Sequence, residues 1–142
     1  MQWSEIVARI LVVDDDPAVG HAIVDWLSAA GHYSATTNAA FDEAFIEEFK
    51  PELLIVDILM PERDGIEVIE WVRGLYPTLK IIAMSGGGRK RREMGLLKIA
   101  ETYGANGSLE KPFLPVDLYG SIEAILTLSA APEESRHVGP PL

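Results

Sequence analysis

The sequence contains no cysteine among its 142 residues. This absence excludes disulfide bonds, thiolate metal sites and cysteine nucleophiles, and it makes the fold independent of the redox compartment. Long hydrophobic runs are also missing, since no stretch approaches the roughly 18 to 20 apolar residues of a membrane-spanning helix. The first residues lack the basic and apolar pair of a signal peptide. We therefore expect a cytoplasmic protein that does not enter a membrane.

Basic residues are scarce, because 22 aspartates and glutamates outnumber 12 lysines and arginines and give a net charge of -10. A surface of that sign repels phosphate backbones and anionic lipids, so binding to nucleic acid or to a membrane surface is disfavoured. The length fits one domain with a full hydrophobic core. We predict a lead-in at residues 1–8, one domain over residues 9–129, and a disordered tail at residues 130–142, where proline, serine, glutamate and glycine accumulate.

Short apolar runs alternate with stretches of helical periodicity along the chain. Residues 10–13, 53–56 and 80–84 predict buried strands, and weaker strands are predicted at 32–37 and 105–109. The helices between them include a second helix capped by Thr37 or Asn38 and a fourth that begins near Arg92. Five strands alternating with five helices favour an α/β fold, a doubly wound parallel sheet with helices on both faces. The flavodoxin-like strand order 2-1-3-4-5 is the simplest arrangement for that count.

Three carboxylates follow the first and third strands, Asp14 and Asp15 after one and Asp57 after the other. The switch point of the predicted order lies between these two strands, so the three side chains should meet at the carboxyl edge of the sheet. A lone aspartate at such a place is also typical of a turn or a helix cap. Converging carboxylates repel each other unless a cation lies among them, and ligands that are all oxygen favour Mg²⁺, with Mn²⁺ as the alternative.

Ser85 and Lys111 end the next two predicted strands, which brings a hydroxyl and an ammonium to the same edge. Taken singly, the serine is typical of a strand end and the lysine of a solvated surface. Together with Asp57 and a metal they favour phosphoryl transfer: Asp57 attacks phosphorus, the metal and Lys111 neutralise the phosphoryl oxygens, and Ser85 donates a hydrogen bond to one of them.

The chain resembles the receiver domain of two-component response regulators over about residues 9–129. The resemblance rests on residues 10–17, residues 54–57 with 60–61 and 64–65, residues 84–86 and residues 111–113. It implies that Asp57 is the phosphoacceptor for a sensor histidine kinase or a phosphotransfer protein. It also implies that Asp15 binds Mg²⁺ directly, that Asp14 acts mostly through water, and that the backbone carbonyl of Leu59 completes the protein ligands.

The same resemblance implies a cis peptide between Lys111 and Pro112. We expect a stand-alone module, not an enzyme, whose output passes to a downstream protein or through a homodimer. The contact would use the fourth helix, fifth strand and fifth helix, the 4-5-5 face. Ser108 stands where the family usually has an aromatic or histidine switch residue. Leu59 and Gly87 flank the expected path of the hydrolytic water without polar side chains, so we expect slow self-dephosphorylation.

Several alternatives stay open at this point. The glycines at 86–88 resemble a phosphate cradle only superficially, since no GxxxxGK[ST] pattern follows them. The basic cluster at residues 89–92 is typical of a solvated face, a partner-docking patch or, less often, a nucleic-acid contact. The acids at 14–16 also satisfy the D-x-D pattern of a haloacid-dehalogenase-like phosphatase. A receiver-like scaffold that never takes phosphate is the third hypothesis.

Overall fold

The computed structural model describes residues 6–60, 63–86 and 90–138, with side chains described except at 90–94 and 128–138. Strands and helices alternate through these ranges. The strands are β1 (Arg9–Val13), β2 (Tyr33–Thr37), β3 (Leu53–Asp57), β4 (Lys80–Gly86) and β5 (Gly107–Lys111). The helices are α1 (Pro17–Ala29), α2 (Glu43–Phe49), α3 (Gly65–Leu75), α4 (Lys90–Thr102) and α5 (Pro115–Val138).

All neighbouring strands pair in parallel, in the order β2-β1-β3-β4-β5. This order confirms the predicted doubly wound sheet and its switch point between β1 and β3. The register pairs Val13 with Val56 and Gly86 with Lys111. Asp14 therefore leaves β1 at the level where Asp57 ends β3, and Lys111 ends β5 at the same edge.

The hydrophobic core has two layers because β1, β3 and β4 are covered on both faces. Alternate residues of β1 divide between them: Leu11 and Val13 pack in one layer, and Ile10 and Val12 pack in the other. Helices α2, α3 and α4 close the first layer, while α1 and α5 close the second. Every residue of β3 is buried, as expected for an apolar strand inside a parallel sheet.

The predicted cap of α2 is wrong. Asp42, not Thr37 or Asn38, precedes the helix, and its side chain accepts a hydrogen bond from the backbone N–H of Phe45 at 3.0 Å. Asn38 instead stabilises a turn, because its Oδ1 accepts from the backbone N–H of Ala40 at 2.8 Å. Short polar side chains satisfy turns and helix starts by the same kind of bond, so the sequence pattern alone does not separate the two.

Other boundaries also differ from those predicted. Strand β5 runs from Gly107 to Lys111, later than predicted, and α4 begins at Lys90, before Arg92. Helix α5 continues to Val138, beyond residue 130 where the disordered tail is predicted to begin, while 139–142 lie outside the described residues. Residues 1–5 of the predicted lead-in also lie outside the description.

No described helix combines the length and the apolar character needed to cross a membrane. The two tryptophans of α1 and α3 are half-buried, on the helical stripes where the pattern places them. Trp26 packs edge-on against Phe113, with ring centroids 6.1 Å apart, and Trp71 packs edge-on against Phe41 at 5.5 Å. Both rings thus help hold helices and loops onto the sheet.

Candidate functional site

Three predicted polar residues are buried at the carboxyl edge of the sheet. Asp14 is 4%, Asp57 7% and Ser85 0% exposed. Asp14 directly follows β1, Asp57 ends β3, and Ser85 is the last residue but one of β4. The start of α3 closes over this edge at Gly65, where an added Cβ would lie 2.3 Å from the carbonyl oxygen of Asp57. Only glycine allows the helix to approach β3 so closely.

Lys111 reaches both acids from the end of β5. Its Nζ lies 3.0 Å from Asp14 Oδ2 and 3.4 Å from Asp57 Oδ2. Gly86 leaves room for the lysine stem, because a Cβ there would lie 3.3 Å from Lys111 Cδ. The peptide between Lys111 and Pro112 is cis, as the resemblance implies. One cation therefore bridges two carboxylates that come from different strands.

Opposing effects act on the Asp57 carboxylate. Burial raises its pKa above 3.8, and the negative charge of Asp14 adds to that rise. The backbone N–H of Leu59, which donates to Asp57 Oδ1 at 3.1 Å, and the Lys111 ammonium both lower the pKa. The net direction is upward, so the ionised form of Asp57 depends on these two donors for its stabilisation.

Two buried side-chain atoms at this edge have no hydrogen-bond partner among the described residues: Asp15 Oδ2 and Ser85 Oγ. The other Asp15 oxygen accepts from the backbone N–H of Ala39 at 3.0 Å. Buried polar atoms are nearly always paired in folded proteins. Two unpaired atoms at one edge of the sheet are therefore candidates for ligand contacts, an oxygen for a cation and a hydroxyl for an anion.

The donor set fits a magnesium ion in its chemistry, because it consists of carboxylate and carbonyl oxygens. Over residues 6–60, 63–86 and 90–138, no three acidic, histidine or cysteine side chains come close enough together to hold a metal by themselves. Mg²⁺ usually keeps several waters and takes only one or two carboxylates. The fit of the site to Mg²⁺ therefore rests on Asp15 Oδ2 and on the carboxylate and carbonyl oxygens of the other predicted ligands.

An apolar groove of about 540 Å³ adjoins the site. Its walls come from one face of α1 and from the segment after β5, and its lining includes Ala18, Ala22, Trp26, Phe113 and the Lys111 stem. The sequence pattern assigned Trp26 to the core and did not indicate this groove. Its position beside Lys111 links an apolar surface directly to the acidic edge.

Ser108 and the side chain of Leu59 do not join the site, although the backbone of Leu59 does. Ser108 is half-buried on β5, opposite Ala83, and the side chain of Leu59 is 45% exposed. Gly87, Gly88 and Arg89 lie outside the described residues, as do the side chains of residues 90–92, so the cradle and basic-cluster hypotheses stay untested. His32 has a structural role, since its Nδ1 accepts from the backbone N–H of Ala8 at 3.1 Å.

Sequence reasoning missed Arg63 and Ala39. Ala39 acts through its backbone, for which the sequence carries no signal. Arg63 lies in the loop after β3, and only its position two residues beyond the proline that follows the acidic strand could have singled it out. Ala39 contacts Asp15 at the acidic edge, and Arg63 contacts the carbonyl of Ala39.

Known proteins resemble this chain in sequence and in structure. The chain is 32% identical over 126 residues to the DNA-binding transcriptional regulator NtrC of Azospirillum brasilense, covering 88% of this chain and 25% of that protein. It is 32% identical over 109 residues to the chemotaxis protein CheY of Thermotoga maritima, covering 75% and 88%. The crystal structure of the receiver domain of NtrX from Brucella abortus superposes with a TM-score of 0.73 at 29% identity, covering 83% of this chain and 98% of that one.

The chain spans a quarter to about half the length of the first curated relatives that it matches. The family model of the response regulator receiver domain matches residues 10–123, which include every residue of the acidic edge. The chain belongs to the receiver domain family of two-component response regulators.

Proposed function

We propose that this chain is a cytoplasmic phosphoacceptor in which Asp57 takes a phosphoryl group from a phosphohistidine. The donor is a sensor histidine kinase or a phosphotransfer protein. A new bond forms between an Asp57 oxygen and phosphorus while the bond from phosphorus to the donor's ring nitrogen breaks, and that nitrogen keeps the electron pair. The observation that carries the proposal is the ammonium of Lys111, 3.4 Å from Asp57 Oδ2, beside the unpaired hydroxyl of buried Ser85.

Each residue has a distinct part in this reaction. Asp57 must be ionised to attack, and the Lys111 ammonium and the Leu59 N–H stabilise its carboxylate against burial. As phosphorus approaches, Lys111 can turn from Asp57 towards a phosphoryl oxygen while keeping its contact with Asp14. Ser85 Oγ donates to a second phosphoryl oxygen. These donors compensate the negative charge that a phosphoryl group brings into a buried acidic site.

Four oxygen donors would hold Mg²⁺, or Mn²⁺ in its place: Asp15 directly, Asp14 mostly through water, Asp57, and the backbone carbonyl of Leu59. When bound, the ion would neutralise charge on the phosphoryl oxygens. The unpaired Oδ2 of Asp15 supports this assignment. The apolar groove beside Lys111 would receive the helix that carries the donor histidine.

The output of the phosphorylated form is a change in a protein-binding surface. Phosphorylation of Asp57 would shift an existing equilibrium of the end of β4 at Ser85, of α4 and of β5. The 4-5-5 face, formed by α4, β5 and α5, would then bind a downstream protein or a second copy of the chain. Ser108 on β5 replaces the aromatic switch residue, so the movement must rely on Ser85 and Lys111.

The test is the intact mass of the protein after incubation with acetyl phosphate and Mg²⁺. We expect one phosphoryl adduct on the wild type, none on Asp57→Asn and none with EDTA. Asp25→Asn, which removes an exposed acid of α1, is the matched control and should be modified like the wild type. No adduct under any condition would leave the non-phosphorylated scaffold as the better description. Turnover of a phosphate ester such as p-nitrophenyl phosphate would point to the phosphatase hypothesis, which no observation on the described residues favours.

A further inference from the structure

Arg63, in the loop between β3 and α3, connects two loops at the acidic edge. Its Nη1 donates a hydrogen bond to the carbonyl oxygen of Ala39 at 3.2 Å. Its guanidinium carbon lies 5.1 Å from the centre of the Trp71 ring, within the range of a cation–π contact. The half-buried Trp71 ring in turn packs on buried Phe41. The guanidinium is therefore held between an aromatic face on α3 and a backbone carbonyl that follows β2.

The backbone of Ala39 connects Arg63 to the site. Its carbonyl accepts from Arg63, and its N–H donates to Asp15 Oδ1 at 3.0 Å. The two peptide groups that flank one buried Cα are thus fixed, one by the arginine and one by the acid. Because Oδ1 accepts this bond, the orientation of the Asp15 carboxylate is set, and Oδ2 is the oxygen that has no partner among residues 6–60, 63–86 and 90–138.

We propose that Arg63 is a positioning residue that orients Asp15 for a divalent cation through the backbone of Ala39. This inference rests on the proposed function, since it assumes that Asp15 is a metal ligand. Groups that hydrogen-bond to a metal ligand orient it, and their loss typically weakens metal binding by about 10- to 100-fold. Arg63 acts one residue further out than such a group, so we expect the lower end of that range.

The charge of Arg63 allows a discriminating test, because a purely electrostatic effect of Arg63 on cation binding would be opposite in sign to the effect of positioning. A guanidinium near the site repels a cation, so removing it should tighten cation binding if charge were its main influence. Positioning predicts the reverse, a weaker site after removal. Lysine separates the two effects: it keeps the charge, but it lacks the planar face that stacks on Trp71.

The experiment is an equilibrium titration of the full chain with MnCl₂, in which the EPR signal of free Mn²⁺ reports binding and Mg²⁺ competes for the site. We expect Arg63→Ala to raise the dissociation constant about 10-fold and Arg63→Lys to raise it less. Arg73→Ala is the matched control. Arg73 also donates to backbone carbonyls, but at the opposite end of β4 and β5, so its loss should lower stability without changing Mn²⁺ affinity.

Each outcome decides one hypothesis. Weaker binding in Arg63→Ala with unchanged binding in Arg73→Ala supports positioning by Arg63. Unchanged or tighter binding in Arg63→Ala overturns the inference while the metal site of the wild type remains. Equal weakening in Arg63→Ala and Arg73→Ala also overturns it, because general destabilisation then explains the loss. A wild type that binds no Mn²⁺ overturns the metal assignment of the proposed function and the inference with it.

Discussion

The two ends of the sheet use a basic residue in different ways. At the carboxyl edge, Lys111 bridges two carboxylates, and two buried polar atoms nearby lack partners within the part of the chain that the structure describes. At the amino-terminal ends of β4 and β5, Arg73 is surrounded by acceptors. Its terminal nitrogens donate to the carbonyls of Tyr76, Pro77, Leu79 and Gly104 and to Asn106 Oδ1.

This difference separates the end of the sheet proposed for binding, called the binding end below, from a structural end. Burial lowers the pKa of Arg73, but neutral acceptors surround the guanidinium, and Asn106 Oδ1 also accepts from the backbone N–H of Ile81 at 2.8 Å. The hydrogen bonds of Arg73 join two loops, the one between α3 and β4 and the one between α4 and β5, and leave little capacity for a ligand. At the acidic edge, charges of both signs and unpaired atoms remain. Such groups destabilise a folded chain by themselves and are useful once a ligand satisfies them.

The largest expected effect comes from removing the cation at the binding end. Lys111→Met should slow phosphorylation of Asp57 by acetyl phosphate about 100-fold, because one preorganised donor to the phosphoryl oxygens is lost. The Asp57 carboxylate also loses a charge that lowers its pKa. The rate is measured by intact mass against time. Lys98→Met, on the exposed side of α4, removes the same charge elsewhere and should leave the rate unchanged.

A smaller effect is expected at the structural end. Arg73→Met should lower the free energy of unfolding by about 2 to 3 kcal/mol, since charge-assisted hydrogen bonds to several backbone carbonyls are lost together. Urea denaturation measures this loss, and Arg73→Lys should recover part of it. Under conditions where the variant is folded, Asp57 should be phosphorylated at the wild-type rate. A large fall in that rate would show that the two ends are coupled.

The smallest expected effect is the pH dependence of stability that His32 causes beside the amino-terminal end of β1. Burial lowers the pKa of His32 below 6.5, and its Nδ1 must be unprotonated to accept from Ala8. Below pH 6.5, His32 binds a proton in the unfolded chain more readily than in the folded chain. The free energy of unfolding therefore falls as the pH drops below 6.5, and it is regained as the pH rises.

Urea unfolding of the wild type and of His32→Gln at about pH 7.5 and 5.5 tests this sign. The wild type should lose more stability on acidification than the variant, by less than about 1 kcal/mol. His21→Gln changes an exposed histidine of α1 and should follow the wild type. Equal losses in the wild type and in His32→Gln would assign the pH dependence to other groups.

Much of the site was predictable because its residues follow strands. Asp14, Asp57 and Lys111 meet as predicted, since apolar runs identify the strands and parallel strands end at one edge. Positions that depend on loop geometry were predicted less well. The cap of α2 was assigned to Thr37 or Asn38 although Asp42 forms it, because all three side chains can satisfy a helix start or a turn.

The parallel α/β fold, the strand order and the acidic edge follow from the amino-acid sequence, because the alternation of apolar runs and polar turns allows few arrangements that bury every strand. The atoms that pair at this edge are seen only in the folded chain: Lys111 bridges Asp14 and Asp57, the Ala39 N–H donates to Asp15, and Arg63 donates to the Ala39 carbonyl. These contacts join loops that are distant in sequence, and their lengths depend on how closely the packed helices and strands bring those loops together.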